Sequence, residues 1–141
     1  MYSNIVVGTD GSETAASALR HAIDLAAVSG GTVHIVSAYR SSGGTRVGTE
    51  AENWYVDSRT KIDAVLDNAA ALARSKGLSV ETHAVEDDPG DAIVDIASSV
   101  GADAVVVGNK GMRGAKRLLL GSVPNKVAHH APCTVVIVKT T

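Results

Sequence analysis

The chain has 141 residues, 45% of them hydrophobic, with a net charge of −2 and a single cysteine. That length suits one domain, residues 1–141, able to bury a core without disulfides or metals, and the hydrophobic share argues against disorder. The charge offers no basic field for nucleic acid, no run approaches the roughly 18 apolar residues of a membrane span, and the lone Cys133 cannot form an internal disulfide. Met1 to Asn4 lead straight into an apolar run with no signal-peptide pattern, so a reducing, cytoplasmic setting is expected.

Taken in order, strand and helix signals alternate. Ile5-Val6-Val7 is a short β-branched run that ends at Gly8. Ser12-Glu13 opens a helix, because Ser caps free N–H groups and Glu suits the positive dipole end. Ala15, Leu19, Ala22 and Ala26 then share one face, and Gly30-Gly31 stops the helix. Val33 to Tyr39 reads as the second strand, and residues 40–49 have loop composition. A helix is expected from about Ala51 to Lys76, with Gly77 ending it. From Leu78 to Val85 the period is two, which predicts a strand with one wetter face near a sheet edge.

Asp88-Pro89 starts the next helix, with Asp as cap and Pro in the first turn. Ile93, Ile96, Ala97 and Val100 form its buried stripe, and Gly101 ends it. Ala104-Val105-Val106-Val107 is apolar throughout and reads as the most buried strand. A loop over 108–121 feeds a short, Ser-capped helix from Ser122 to about His130, and Val135 to Val138 form the last strand. Such alternation predicts an α/β doubly wound, five-stranded parallel sheet with helices on both faces, in strand order 3-2-1-4-5. With no Phe and one Trp, Ala, Val, Ile and Leu must fill its core. Ligands in such folds bind beyond the carboxyl ends of the strands, where the strand order reverses.

The segment Gly108 to Ser122 falls at that edge. Its glycines let backbone N–H groups approach an anion, and the helix start at Ser122 adds unpaired N–H groups and a hydroxyl. Lys110, Arg113, Lys116 and Arg117 make the loop cationic inside an acidic chain, which suits phosphates. The pattern is neither a Walker A loop nor Gly-x-Gly-x-x-Gly. Asp10 closes the first strand, where a carboxylate can accept from a ribose hydroxyl or help hold Mg²⁺, or can instead serve the turn with Ser12.

The spacing Gly108-x-x-Gly111, nine residues, Gly121-Ser122 resembles the nucleotide motif of the universal stress protein family, in its ATP-binding branch. The opening Val6-Val7-Gly8-Thr9-Asp10-Gly11-Ser12-Glu13 and the later His130-Ala131-Pro132-Cys133 resemble the same family, and Thr134 stands where many members have proline. The resemblance implies a stress-response role and binding of an adenine nucleotide, ATP first. It places Gly108 and Gly111 along the ribose and phosphates, and Gly121, Ser122 and the Val123 N–H at the phosphate tail. Asp10, with Gly8 and Thr9, falls at the ribose and metal side, and Ala38 and Val107 at the adenine. The reading is of a regulatory protein in which nucleotide sets a conformation or the affinity for a downstream protein partner. The alternatives are a weak ATPase or nucleotidyl transferase in the same site, or a cyclic AMP binding protein.

Other motifs carry less. Asp87-Asp88 suggests a phospho-receiver, but such a site needs an acidic pair at the first strand end, and Asp10 stands alone there. The five histidines show no metal spacing along the chain, and Cys133 reads as a small apolar residue. Trp54 and Tyr55 suit either a pocket cover or a partner contact, and the Ser/Gly-rich loop over 40–52 suggests a lid. Finally, Val135–Val138 is a sheet edge of four β-branched apolar residues. Open edges invite pairing, so a homodimer through this strand is expected.

Overall fold

The computed structural model describes residues 1–40, 50–110 and 120–140, with side chains described outside 50–58. Five strands, β1 (Asn4–Gly8), β2 (Thr32–Tyr39), β3 (Ser79–Glu86), β4 (Ala104–Gly108) and β5 (Thr134–Val138), alternate with four helices, α1 (Glu13–Ser29), α2 (Glu50–Ser75), α3 (Pro89–Val100) and α4 (Ser122–His130). All four strand pairings are parallel, and the order is β3-β2-β1-β4-β5. The expected doubly wound fold is therefore present.

The alternation of side chains along each strand builds two cores from one sheet. Ile5 and Val7 point to one face, where they meet Val33, Ile35 and Val106 beneath α1 and α2. Val6 points to the other, with Val36, Val105 and Val107 beneath α3 and α4. Alanines dominate the helix stripes (Ala18, Ala22 and Ala26 on α1; Ala69, Ala70 and Ala73 on α2), so the helices can approach the sheet closely without aromatic filler. Val6, Val105 and Val127 are almost wholly buried, and full burial of such a side chain contributes about 1.5–3 kcal/mol.

The helix ends follow local chemistry. Ser12 accepts from the Ala15 N–H and caps α1. Asp88 accepts from the Asp91 N–H and caps α3, with Pro89 in its first turn. Gly30 closes α1 in the left-handed region at φ 75°, its N–H bonded to the Ala26 carbonyl, a conformation glycine adopts without steric cost. One expectation is corrected at α4. The cap position is Gly121, and Ser122 is the first helical residue rather than the cap. A serine serves at either place, so local preference could not separate them.

The edges also match the sequence pattern. β3 is an outer strand with Ser79, Glu81, Thr82 and Glu86 exposed. β5 is the opposite edge: Val138 is buried, Val135 and Val136 are half-buried, and Ile137 is 41% exposed.

Candidate functional site

The order β2-β1-β4 reverses chain direction across the sheet, because β1 passes to β2 on one side and lies against β4 on the other. Beyond the carboxyl ends of these strands a cavity of about 510 Å³ opens, counting its mouth. Ligands in open α/β sheets favour such switch points.

The turn after β1 forms one wall and is held by its own polar groups. The Thr9 N–H continues the ladder to the Val36 carbonyl at 2.9 Å, and Ser37 Oγ donates to the Thr9 carbonyl at 2.8 Å. Thr9 is buried, and its Oγ1 accepts from the Gly11 N–H. Asp10 Oδ1 accepts from the Ser12 N–H at 2.9 Å. The turn role for Asp10 is thus real, yet it engages one oxygen; among the described residues no hydrogen bond uses Oδ2. Gly11, at φ 83°, lets the chain double back into α1.

The second wall follows β4. The Asn109 N–H bonds the Val138 carbonyl at 2.9 Å, and the Gly121 N–H bonds the Asn109 carbonyl at 3.0 Å. Asn109 Oδ1 accepts from the Thr140 N–H and hydroxyl at 2.9 and 2.7 Å. One residue thereby ties β4, the end of β5 and the start of α4 together at the base of the loop. Gly121 has no side chain with which to cap α4, and among the described residues no side chain caps it, so the start of α4 offers unpaired N–H groups suited to an anion.

The third wall comes from α3. Pro89 and Ile93 face the cavity, and a carboxylate cluster beneath them fixes α3 to α4: Lys126 Nζ lies 3.1 Å from Asp88 and 3.3 Å from Asp91. Burial pushes the Asp88 carboxyl up, but hydrogen bonds from Lys126 and the Asp91 N–H outweigh it, and its pKa lies below the usual aspartate value. This structural role agrees with reading Asp88 as a cap and not as a receiver acid.

Of the residues singled out from sequence, Gly8, Thr9, Asp10, Ala38, Val107, Gly108, Lys110 and Val123 line the cavity. Gly121 and Ser122 sit at the start of α4 beside it without lining it. Gly111, Arg113, Lys116 and Arg117 lie outside the described residues, as do residues 41–49 of the supposed lid and the side chains of Trp54 and Tyr55. The sequence reading did not assign Ser12, Thr14, Ala15, Val36, Pro89, Ile93 and Pro124 to the site, and these complete the lining. Their patterns signal helix starts or core stripes, and only the packing of α3 against β2 and β1 brings Pro89 and Ile93 to the cavity.

The lining divides by chemistry. Val36, Ala38, Ile93 and Val107 are apolar and suit a flat ring, whereas Thr9, Asp10, Ser12, Thr14 and Lys110 are polar. Asp10 is the one carboxylate among the described lining residues, with no histidine or cysteine beside it. Gly108 has room for a methyl group within the protein itself, its nearest neighbour being Thr140 Cγ2 at 3.4 Å. Packing of the described residues therefore does not require glycine there, and Gly108 itself lines the cavity.

Away from this cavity, two histidines that show no metal spacing along the chain come together in space. His34 Nδ1 and His83 Nε2 are 3.2 Å apart, and the Glu81 carboxylate joins them. Burial lowers the His34 pKa, with Glu81 opposing the shift and His83 assisting it. Cys133 is half-buried among the second core residues, and burial raises its thiol pKa, with Asp103 adding to the rise.

A doubly wound α/β protein with an open cleft at its switch point, fed by a glycine turn and a helix start, is the class that fold and cavity define. The sequence profile of the "Universal stress protein family" matches residues 1–139, and the chain belongs to that family. A universal stress protein of Mycobacterium tuberculosis, Rv1636, is 34% identical over 99% of this chain and 98% of its own. A crystal structure of a universal stress protein in complex with cAMP is 35% identical, with a TM-score of 0.78 over 99% of this chain and 98% of that one. The universal stress protein from Archaeoglobus fulgidus in complex with dAMP is 28% identical, with a TM-score of 0.74 over 96% and 97%.

Proposed function

We propose that this chain is an adenine-nucleotide-binding regulatory protein of the stress response, with ATP as its ligand. The observation that carries the reading is the switch-point cavity, apolar at Ala38 and Val107 and polar from Thr9 to Ser12, with the uncapped start of α4 beside it. In this reading the adenine lies against Ala38, with Val107 beside it. The ribose reaches Asp10 and the glycine edges at Gly8 and Gly108. The phosphates follow Lys110, Gly111 and Arg113 toward the N–H groups at Gly121, Ser122 and Val123. A Mg²⁺ ion held chiefly by phosphate oxygens and water needs few protein ligands, and Asp10, with one oxygen outside the turn, suits that role. When bound, the ion would neutralise phosphate charge.

Binding is favoured over turnover because Asp10 is the one carboxylate on the described lining, with no histidine or cysteine beside it. A regulatory role then follows from nucleotide-dependent conformation or partner affinity, exercised in the cytoplasm. We further place a homodimer at β5, whose half-buried valines and exposed Ile137 leave an apolar edge for antiparallel pairing with a second copy.

A second reading has its own support: the 35% identical neighbour was solved with cAMP, and a cyclic phosphate also suits a helix start. The test is mass spectrometry of ligand released from the purified protein, followed by calorimetry with ATP, ADP, AMP and cAMP, each with Mg²⁺. Tightest binding of ATP supports the first reading, and tightest binding of cAMP the second. If no adenine nucleotide binds, both are refuted.

A further inference from the structure

The opposite end of the sheet carries a second cluster. His34 on β2 pairs in register with Glu81 on β3, and His83 lies two residues further along β3, so all three side chains share one face. Their ligand atoms lie within 4.8 Å of one another. Ala38, at the nucleotide cavity, is four residues further along β2, about 13 Å away at the usual rise per residue.

Three features of this cluster are those of a metal site. The His34 Nδ1 to His83 Nε2 separation is 3.2 Å, and two nitrogens on one tetrahedral Zn²⁺ stand about 3.3 Å apart, given Zn–N bonds of about 2.0–2.1 Å. The other ring nitrogen of His34, Nε2, lies 3.0 Å from Asn4 Oδ1. With Nε2–H donating to that amide oxygen, the Nδ1 lone pair faces His83; metal-bound imidazoles are held in this way by a carbonyl or carboxylate on their far nitrogen. Finally, the set mixes a buried imidazole (His34, 3% exposed) with a half-buried one and an exposed carboxylate at a sheet edge. That arrangement gives a fixed anchor, a route of access and a free coordination position for water.

We propose that His34, Glu81 and His83 form a binding site for a divalent transition-metal ion, Zn²⁺ in the first instance, that clamps the outer strand β3 to β2. Two imidazoles with one carboxylate select Zn²⁺ and its first-row neighbours over Mg²⁺ and Ca²⁺, which take oxygen donors. Asn4 is a positioning residue: it touches no metal but orients His34, and it links the clamp to β1. The site is separate from the nucleotide cavity, and the proposal stands whether or not a nucleotide binds there.

The test uses the full chain, stripped with a chelator and titrated with zinc chloride by calorimetry, with thermal unfolding in parallel. One Zn²⁺ per chain is expected, with a rise in melting temperature. His83→Ala should abolish both effects, and Glu81→Gln, at an exposed position that leaves folding intact, should weaken binding. Asn4→Ala should cost about 10- to 100-fold in affinity, while metal-free variants keep the unsubstituted circular dichroism spectrum. The proposal is overturned if the unsubstituted chain binds no Zn²⁺. It is equally overturned if His83→Ala and Glu81→Gln bind it unchanged, which would make the His34–His83 contact a hydrogen bond between imidazoles alone.

Discussion

Replacing Gly108 by alanine separates ligand recognition from folding. Gly108 ends β4 outside the left-handed region, and its added Cβ would meet Thr140 Cγ2 at 3.4 Å, the Thr14 carbonyl at 3.6 Å and the Lys110 carbonyl at 3.7 Å. These are ordinary contacts, so the native backbone accepts the methyl group. Removing glycine's freedom from the unfolded chain should then stabilise the fold by about 0.4–1 kcal/mol. In the proposed pose the nucleotide lies along this backbone, and there it would meet the added methyl group. Overpacking of that kind costs about 1–3 kcal/mol, or roughly 5- to 150-fold in Kd. Gly8→Ala is the contrast: its Cβ would lie 2.5 Å from Ile93 Cδ1 and 3.2 Å from Ile93 Cγ1, inside the second core. That variant should lose about 1–3 kcal/mol of stability. Urea unfolding and ATP calorimetry on the two proteins provide the comparison. If Gly108→Ala binds ATP with unaltered affinity, or is destabilised as Gly8→Ala is, the placement of ligand beside Gly108 is wrong.

Further outcomes follow from the same geometry. Gly121→Val should abolish ATP binding while the domain stays folded, and Ser122→Ala should weaken it by about 1 kcal/mol, the scale of one hydrogen bond; unchanged calorimetric affinity for Gly121→Val would remove the α4 start from the site. The Asp88 pKa is lowered in the folded state, so its contribution to stability is full above the unfolded value, about pH 4, and is lost as pH falls through the folded value. Asp88→Asn, which keeps a capping side chain, should flatten that acid limb in urea unfolding measured across pH; an identical limb would show that Lys126 does not stabilise the pair. Light scattering should report a dimer at micromolar concentration, and Ile137→Pro, which removes an edge N–H and disrupts the strand, should give monomer or aggregate. A well-folded monomer for the unsubstituted chain at all concentrations would refute pairing through β5.

The sequence by itself determined the fold class and most of one wall of the site. Strand period, helix stripe and caps are local properties: Ser12 and Asp88 announce their helices through hydrogen bonds that span only three residues. The alternation of such units then leaves few topologies, because right-handed crossovers and short connections exclude the rest. Asp10 and Gly108 are therefore legible from the sequence as residues at the carboxyl edge of the sheet. Tertiary structure alone decided what converges from a distance. Pro89 and Ile93 line the cavity because α3 packs against β2 and β1, and nothing in their own helical pattern states that placement. Asn109 ties β4, β5 and α4 together through partners that lie far apart in the chain. His34 and His83 stand 49 residues apart, and no spacing rule connects them. They meet because β2 and β3 pair with His34 opposite Glu81; a slip of one residue in that register would turn the β3 partners to the other face of the sheet.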